Sequence, residues 1–175
     1  QLADPATREA AVAQARQAAD EALEANEQYQ QGKQALDALT QARDAYDALA
    51  QAKASLEAQI AQLEESGQDA TQAKAQLAAV TAQMADIKTQ LSAQGVTPEQ
   101  LPALIEQAQA QLDAARQSAH EAADKTVDEQ LAGMSSQLDE AQATLNDQRA
   151  QALRMLDEAA AQLADAQAQA DEGQA

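Results

Sequence analysis

The single histidine, His120, stands in His120-Glu121-Ala122-Ala123-Asp124, a spacing that puts an imidazole and two carboxylates on neighbouring helical turns. A zinc-hydrolase helix needs a second His where this chain has Asp124, and a stable zinc site needs three or four protein ligands. His120 is therefore expected to be a solvated helix residue, with no metal and no cofactor. The carboxylates are many but dispersed, whereas acid–base catalysis needs two of them held in a water-poor cleft with separated pKa values. Several instead follow a base by four residues: Arg16 and Asp20, Arg43 and Asp47, Lys53 and Glu57, Lys125 and Glu129, Arg154 and Glu158. Such pairs contribute about 0.2–0.5 kcal/mol each on a helix surface. Thr97, Ser135 and Ser136 carry hydroxyls, but no His or Lys is placed to activate them. The five glycines are isolated, so no phosphate-cradling loop exists, and no spaced calcium-loop pattern occurs. These exclusions point away from an enzyme.

The elements that carry these residues must be helices. Of 175 residues, 45% are hydrophobic, yet there is no Phe, no Trp and only two Tyr. Ala, at about fifty copies, supplies most of the apolar share and Gln about thirty residues more. Ala buries little area, so a broad globular core is not expected. Ala, Gln, Glu, Leu, Lys and Arg are strong helix formers, while strand-favouring residues are scarce. Eleven basic residues face 29 acidic ones, for a net charge of -18. That balance excludes binding to phosphate backbones, hence no nucleic acid, and disfavours anionic membrane surfaces. The chain has no Cys and therefore no disulfide framework. No apolar run reaches the roughly 18 residues of a membrane span. The chain opens on Gln1 rather than Met, which reads as a piece cut from something larger or as a processed product.

Asp4-Pro5 is a helix start, with an N-cap acceptor before Pro at the first helical position. Ala11, Ala15, Ala18, Ala22 and Ala25 then recur in alternating steps of four and three, as does the run Tyr29, Gly32, Leu36 and Leu39. After a slip, Leu49, Leu56, Ile60 and Leu63 take over, and Leu77, Val80, Met84, Ile87 and Leu91 complete the series. The strongest stop is Gly95-Val96-Thr97-Pro98-Glu99-Gln100: Gly95 suits a left-handed cap, and Thr97, Pro98 and Gln100 make a capping box with Pro at the first position. The spacing predicts one domain over 1–175, with helix 1 over about 5–94, a turn at 95–97 and helix 2 over about 98–171.

The predicted fold class is all-α: a long antiparallel two-helix coiled-coil hairpin with an Ala-rich seam, reversing at 95–97. Near that turn Leu91 would face Leu101, and Val80 would face Leu112. At the far end the Ala run 11–25 would face Ala159, Ala166 and Ala170. The two registers differ by about four turns and cannot both hold with straight helices. Ser66-Gly67-Gln68-Asp69, with a second Gly cap and an Asp69–Gln72 capping box, offers a kink or looping-out at 66–69. A small head over 67–125 is the competing arrangement. Tyr29 and Tyr46 are expected in wide spots of the seam, Tyr29 one turn before Gly32.

The segment Glu27-Gln28-Tyr29-Gln30-Gln31-Gly32-Lys33-Gln34-Ala35-Leu36 resembles the Tyr-x-x-Gly-x-x-x-Leu units in extracellular coiled coils of Gram-positive ABC-transporter permeases of the FtsX/MacB-like superfamily. Tyr46-Asp47-Ala48-Leu49, up to Leu56, looks like a degenerate copy, with Leu49 in place of Gly. The flanking run 51–58 is similar to the same family. The resemblance implies a fragment set between membrane helices on the extracellular side of the cell membrane, with Tyr29, Gly32, Leu36 and Tyr46 in its seam. It implies transmission of ATP-driven movement, from an ATPase subunit through the rest of the permease, to a cell-wall or other extracellular partner. The candidate docking tip is then Gly95, Val96, Thr97, Pro98 and Leu101. A structural coiled-coil spacer, with self-association into a homodimer as its activity, is the alternative. An acidic helix that orders only with a partner is the third class.

Overall fold

The structure, a computed structural model, describes residues 4–173, with side chains as far as Ala168. It is all-helical, with no strand among the described residues. The elements are α1 (Pro5–Glu24), α2 (Glu27–Glu65), α3 (Thr71–Ala93), a 3-10 turn (Pro98–Gln100) and α4 (Leu101–Gly173). α1 starts where the Asp-Pro pair predicts, with Asp4 Oδ1 accepting from the Ala6 amide at 3.2 Å. The single helix expected over 5–94 is interrupted twice. Packing groups the chain into two units, Arg16–Glu121 and Gln1–Ala15 with Ala122–Ala175.

The first interruption, at Ala25-Asn26, has a local cause. Asn26 is extended (φ -80°, ψ 122°), and its side-chain oxygen accepts from the amides of Gln28 (3.0 Å) and Tyr29 (3.1 Å). That cap satisfies donors which a continuous helix would spend on the preceding turn. The heptad spacing runs straight through this point, which hides the break from a periodicity argument.

The second interruption is a full reversal. Gly67 adopts φ 66°, the Gln68 amide donates to the Leu63 carbonyl at 2.8 Å, and the Gly67 amide donates to Glu64 at 3.1 Å. This is a Schellman termination, in which a left-handed glycine lets the last carbonyls find donors. Asp69 then starts α3 by accepting from the Thr71 amide (2.9 Å) and hydroxyl (2.6 Å). Ile60, Ala70 and Ala73 form a buried cluster backed by Leu63 and Leu77. Lys74 Nζ lies 2.6 Å from Glu64 Oε1, so α3 returns antiparallel along α2. By its other end, Ile87, Leu91 and Gln94 line a cleft with Ala35, Ala38 and Ala45 of α2.

The expected reversal at 95–97 is not one. Gly95 has φ 74°, and the Val96 amide donates to the Leu91 carbonyl at 3.0 Å, so the helix stops as predicted. α4 nevertheless runs on in the direction of α3. Leu112 lies against Gly32 of α2, and Arg116 and His120 both reach Asp20 of α1. As residue numbers rise along α3 and then α4, their neighbours on α2 and α1 fall. Leu112 therefore does not face Val80, and the Ala run of α1 does not face Ala159 or Ala166, which are exposed; the side chain of Ala170 lies outside those described. The register conflict disappears, because both pairings assumed a turn at the wrong cap.

In the second unit, the start of α1 packs on α4 beyond Glu121. Arg8 grips Asp128 with two of its guanidinium nitrogens, Nε to Oδ1 at 2.8 Å and Nη2 to Oδ2 at 2.9 Å, and Val127 is buried. From Ala132 to Ala168 every side chain of α4 is exposed.

Candidate functional site: the Tyr29–Gly32 seam

The site is built where α2 begins. The Asn26 cap sets the first turn of α2, and Tyr29, Gly32 and Leu36 lie beyond it on one face, all half-buried. A Cβ placed on Gly32 would lie 3.1 Å from Leu112 Cδ2 and 3.9 Å from Cγ. Glycine here serves close approach: Leu112 of α4 enters the hole that the missing side chain leaves. On one side of this contact lies a shallow cleft of about 520 Å³, bordered by Leu23, Asn26, Tyr29, Ala35, Ala108 and Ala115. A smaller one, about 190 Å³, lies on the other side, bordered by Glu24, Lys33, Asp37, Asp113 and Arg116.

Polar groups brace the same corner. Lys33 Nζ meets both oxygens of Glu24, at 3.0 and 2.9 Å, while Gln30 donates to the Glu24 carboxylate and to its backbone carbonyl, each at 2.7 Å. The Lys33 and Gln30 hydrogen bonds hold the Glu24 carboxyl below its ordinary value, and the bond to Glu24 raises Lys33. Glu24 ends α1 and Lys33 lies in α2, so one carboxylate spans the helix break. Both groups are exposed and the pairing is correspondingly modest in energy.

His120 is not the solvated residue expected. Its Nε2 lies 2.9 Å from Asp20 Oδ1, and Arg116 Nε approaches the same oxygen at 3.3 Å. Asp20 thus reaches across to α4. Arg43 likewise prefers its neighbour Asp44 at 2.7 Å over Asp47. The pairs Lys53–Glu57 and Lys125–Glu129 sit at 3.7 Å, a loose surface geometry. Among the described residues no three His, Cys, Asp or Glu side chains converge as metal ligands.

The residues expected at a docking tip are placed otherwise than a tip requires. Gly95 and Thr97 are exposed and Val96 is half-buried, but Pro98 is buried and Leu101 is 0% exposed. Thr97 keeps its capping role, its amide donating to Gln100 Oε1 at 2.9 Å. The Glu99 carboxyl, held by its own amide and the Thr97 hydroxyl, sits below its ordinary value. Pro98 and Leu101 therefore fasten α4 to its own unit and offer no apolar surface to a partner.

The seam contains one pattern that steps of three and four conceal. Residues 28–37, 38–47 and 48–57 are three tandem tens. Tyr29, Leu39 and Leu49 correspond, as do Gly32, Ala42 and Ala52; Lys33, Arg43 and Lys53; and Leu36, Tyr46 and Leu56. All twelve positions are half-buried. Ten residues fall about 80° short of three helical turns, so a stripe of this period swings round the helix far faster than a heptad stripe, which drifts by about 20° per repeat. The swing has a purpose: α2 meets α4 around residues 29–36 and α3 from there to Ile60. Ala35 borders the clefts of both. In this register Gly32 aligns with Ala42 and Ala52, so the small position is kept, and only the copy that receives Leu112 loses its side chain entirely.

No family model matches the chain, and comparison with curated proteins and with solved structures likewise finds no match. No helix among the described residues is long and apolar enough to cross a membrane.

Proposed function

We infer that this chain is a non-enzymatic, coiled-coil arm from the extracellular side of an ABC-transporter permease of the FtsX/MacB-like kind. The observation that supports the reading is the Tyr29-x-x-Gly32-x-x-x-Leu36 unit, whose Gly32 admits Leu112 as a close contact between helices. In this reading α2 and α3 form the coiled-coil hairpin, and the reversal at 66–70 replaces 95–101 as the end that meets a cell-wall or extracellular partner. That end is acidic, with Glu64, Glu65 and Asp69 around an exposed Gly67. ATP-driven movement reaches the arm from an ATPase subunit through the rest of the permease. Packed helices carry such motion because close-packed seams shift between discrete arrangements rather than deform smoothly.

The test is topological. In the full reading frame, a periplasm- or exterior-active reporter inserted at Gln68 is expected to be active on intact cells, and a cytosol-active reporter there silent. The reverse pattern, or a frame with no membrane spans on either side, would remove the permease reading. The second reading, a self-associating structural helix protein, is favoured by one observation: the long uncovered face of α4.

A further inference from the structure

From Val127 onward α4 carries an apolar strip in strict steps. Its first half is Leu131, Met134, Leu138, Ala141 and Leu145; its second is Ala152, Leu156, Ala159, Leu163 and Ala166. The strip continues the seam that α1 covers, since Val127 is buried and Leu131 half-buried, but beyond Leu131 the described structure leaves it open. Met134, Leu138, Leu145, Leu156 and Leu163 are 48–69% exposed. A solvent-facing helix does not need such residues at such spacing.

Three features identify what covers it. The first is symmetry. The steps run 3, 4, 3, 4 in the first half and 4, 3, 4, 3 in the second, so the strip reads alike from either end about a point between Gln148 and Arg149. Two copies laid antiparallel about that point would pair Leu131 with Ala166, Leu138 with Ala159, Ala141 with Leu156 and Leu145 with Ala152. Each of these joins a large side chain to a small one, as interdigitated packing requires; Met134 with Leu163 is the exception. The second is charge. Ser135, Gln137, Gln142, Thr144, Ala160 and Gln162 flank the strip, whereas the acids Asp139, Glu140, Asp157, Glu158 and Asp165 fall on the far face. In a chain of net charge -18, a border free of acids is one that two identical chains can share without repulsion. A basic partner helix would find no complementary flank there. Arg149, the charged residue bordering the strip, falls at the symmetry point, level with Gln148 of the other copy and one residue from its Asp147. The third is area. Leu153 and Met155 widen the strip near its centre, so seven large apolar side chains of one helix stand 48–69% exposed, more than scattered surface residues account for.

We propose that the α4 face from Leu131 to Ala166 is a homotypic interface, on which a second copy of this chain packs antiparallel about a two-fold axis between Gln148 and Arg149. A two-fold interface presents the same patch from both copies, and about this axis four of the five pairs set a large side chain against a small one.

Sedimentation of the whole chain over a range of concentrations tests it, with a doubling of mass as the expected result. Leu145→Glu, at a side chain already exposed, should abolish the doubling without changing helicity measured at the lowest concentration. Because the chain has no Cys, disulfide trapping reads orientation independently. Gln148→Cys should cross-link to itself, while Leu138→Cys should not, since antiparallel copies hold those positions about 30 Å apart. A monomer at every concentration overturns the proposal and leaves the face to a different partner. So does a dimer indifferent to Leu145→Glu, and so does self-cross-linking of Leu138→Cys, the mark of parallel copies. These outcomes are separate from those of the topological reporter, so either reading can fail alone.

Discussion

The two glycine-terminated junctions of the larger unit, 66–70 and 94–100, end their helices by the same device and send the chain opposite ways. Both have a left-handed glycine, at φ 66° and 74°, and both close a bond from the following amide to the carbonyl five residues back, at 2.8 and 3.0 Å. The side chains just beyond each glycine differ. After Gly67 come Ala70 and Ala73, small enough to lie directly on Ile60, and the chain folds back. After Gly95 come Pro98 and Leu101, buried on the same unit, and α4 continues in the direction of α3. A cap specifies that a helix stops; the next buried side chains specify where the chain goes.

Leu101→Ala should produce the largest effect, a loss of about 2–5 kcal/mol, since no other large described side chain is fully buried. Thermal melting monitored by circular dichroism would show it, and an unchanged melting temperature would mean that the 94–100 junction is not pinned there. Ala73→Leu attacks the other junction by overpacking the returning helix, for about 1–3 kcal/mol. If it instead stabilised, close approach would not be the condition for reversal. Gly67→Ala and Gly95→Ala should be nearly equal at about 1 kcal/mol each, because an added methyl meets nothing within 4 Å at either site and only the left-handed backbone is strained. A clear inequality between them would show that the caps are not equivalent after all. The smallest effects are electrostatic. Arg8 holds the Asp128 carboxyl below its ordinary 3.8, and Thr71 does the same for Asp69. For a depressed carboxylate the stabilisation is complete above the unfolded pKa and is lost as pH falls through the lower folded pKa. Both carboxylates should therefore titrate below 3.8 by NMR, and Arg8→Ala should return Asp128 alone to the ordinary range.

Much of the helical content is legible in the sequence, because Asp4, Gly67, Asp69, Gly95 and Thr97 are chemical signals that act locally. Direction is not, since it depends on which apolar side chain finds room next to a distant neighbour. Gly95-Val96-Thr97-Pro98 is the richer stop signal and draws the expected reversal to the wrong place. The half-buried state of Tyr29, Gly32, Leu36 and Tyr46 follows from helical spacing, but their role requires seeing Leu112 against Gly32. The ten-residue repeat is visible in the letters from Gln28 to Glu57 yet mimics a slip between heptads, because two different helices cover one stripe. Asn26 is hidden for a simpler reason: an Asn before Glu is a good N-cap, but the alanine spacing on either side stays in phase.

The Glu24 carboxylate, gripped by Lys33 and Gln30 across the gap at Ala25-Asn26, makes that elbow respond to a variable the apolar seams ignore. Exposed ion pairs weaken as the Debye length shrinks, to about 3 Å at 1 M salt, whereas methyl against methyl does not. Brine should loosen the elbow between α1 and α2, along with the other exposed ion pairs Lys74–Glu64, Arg116–Asp20 and Arg8–Asp128, while the apolar α2–α3 stack holds, so dissolved ions slacken the clasps of this molecule and spare its methyl-lined seams.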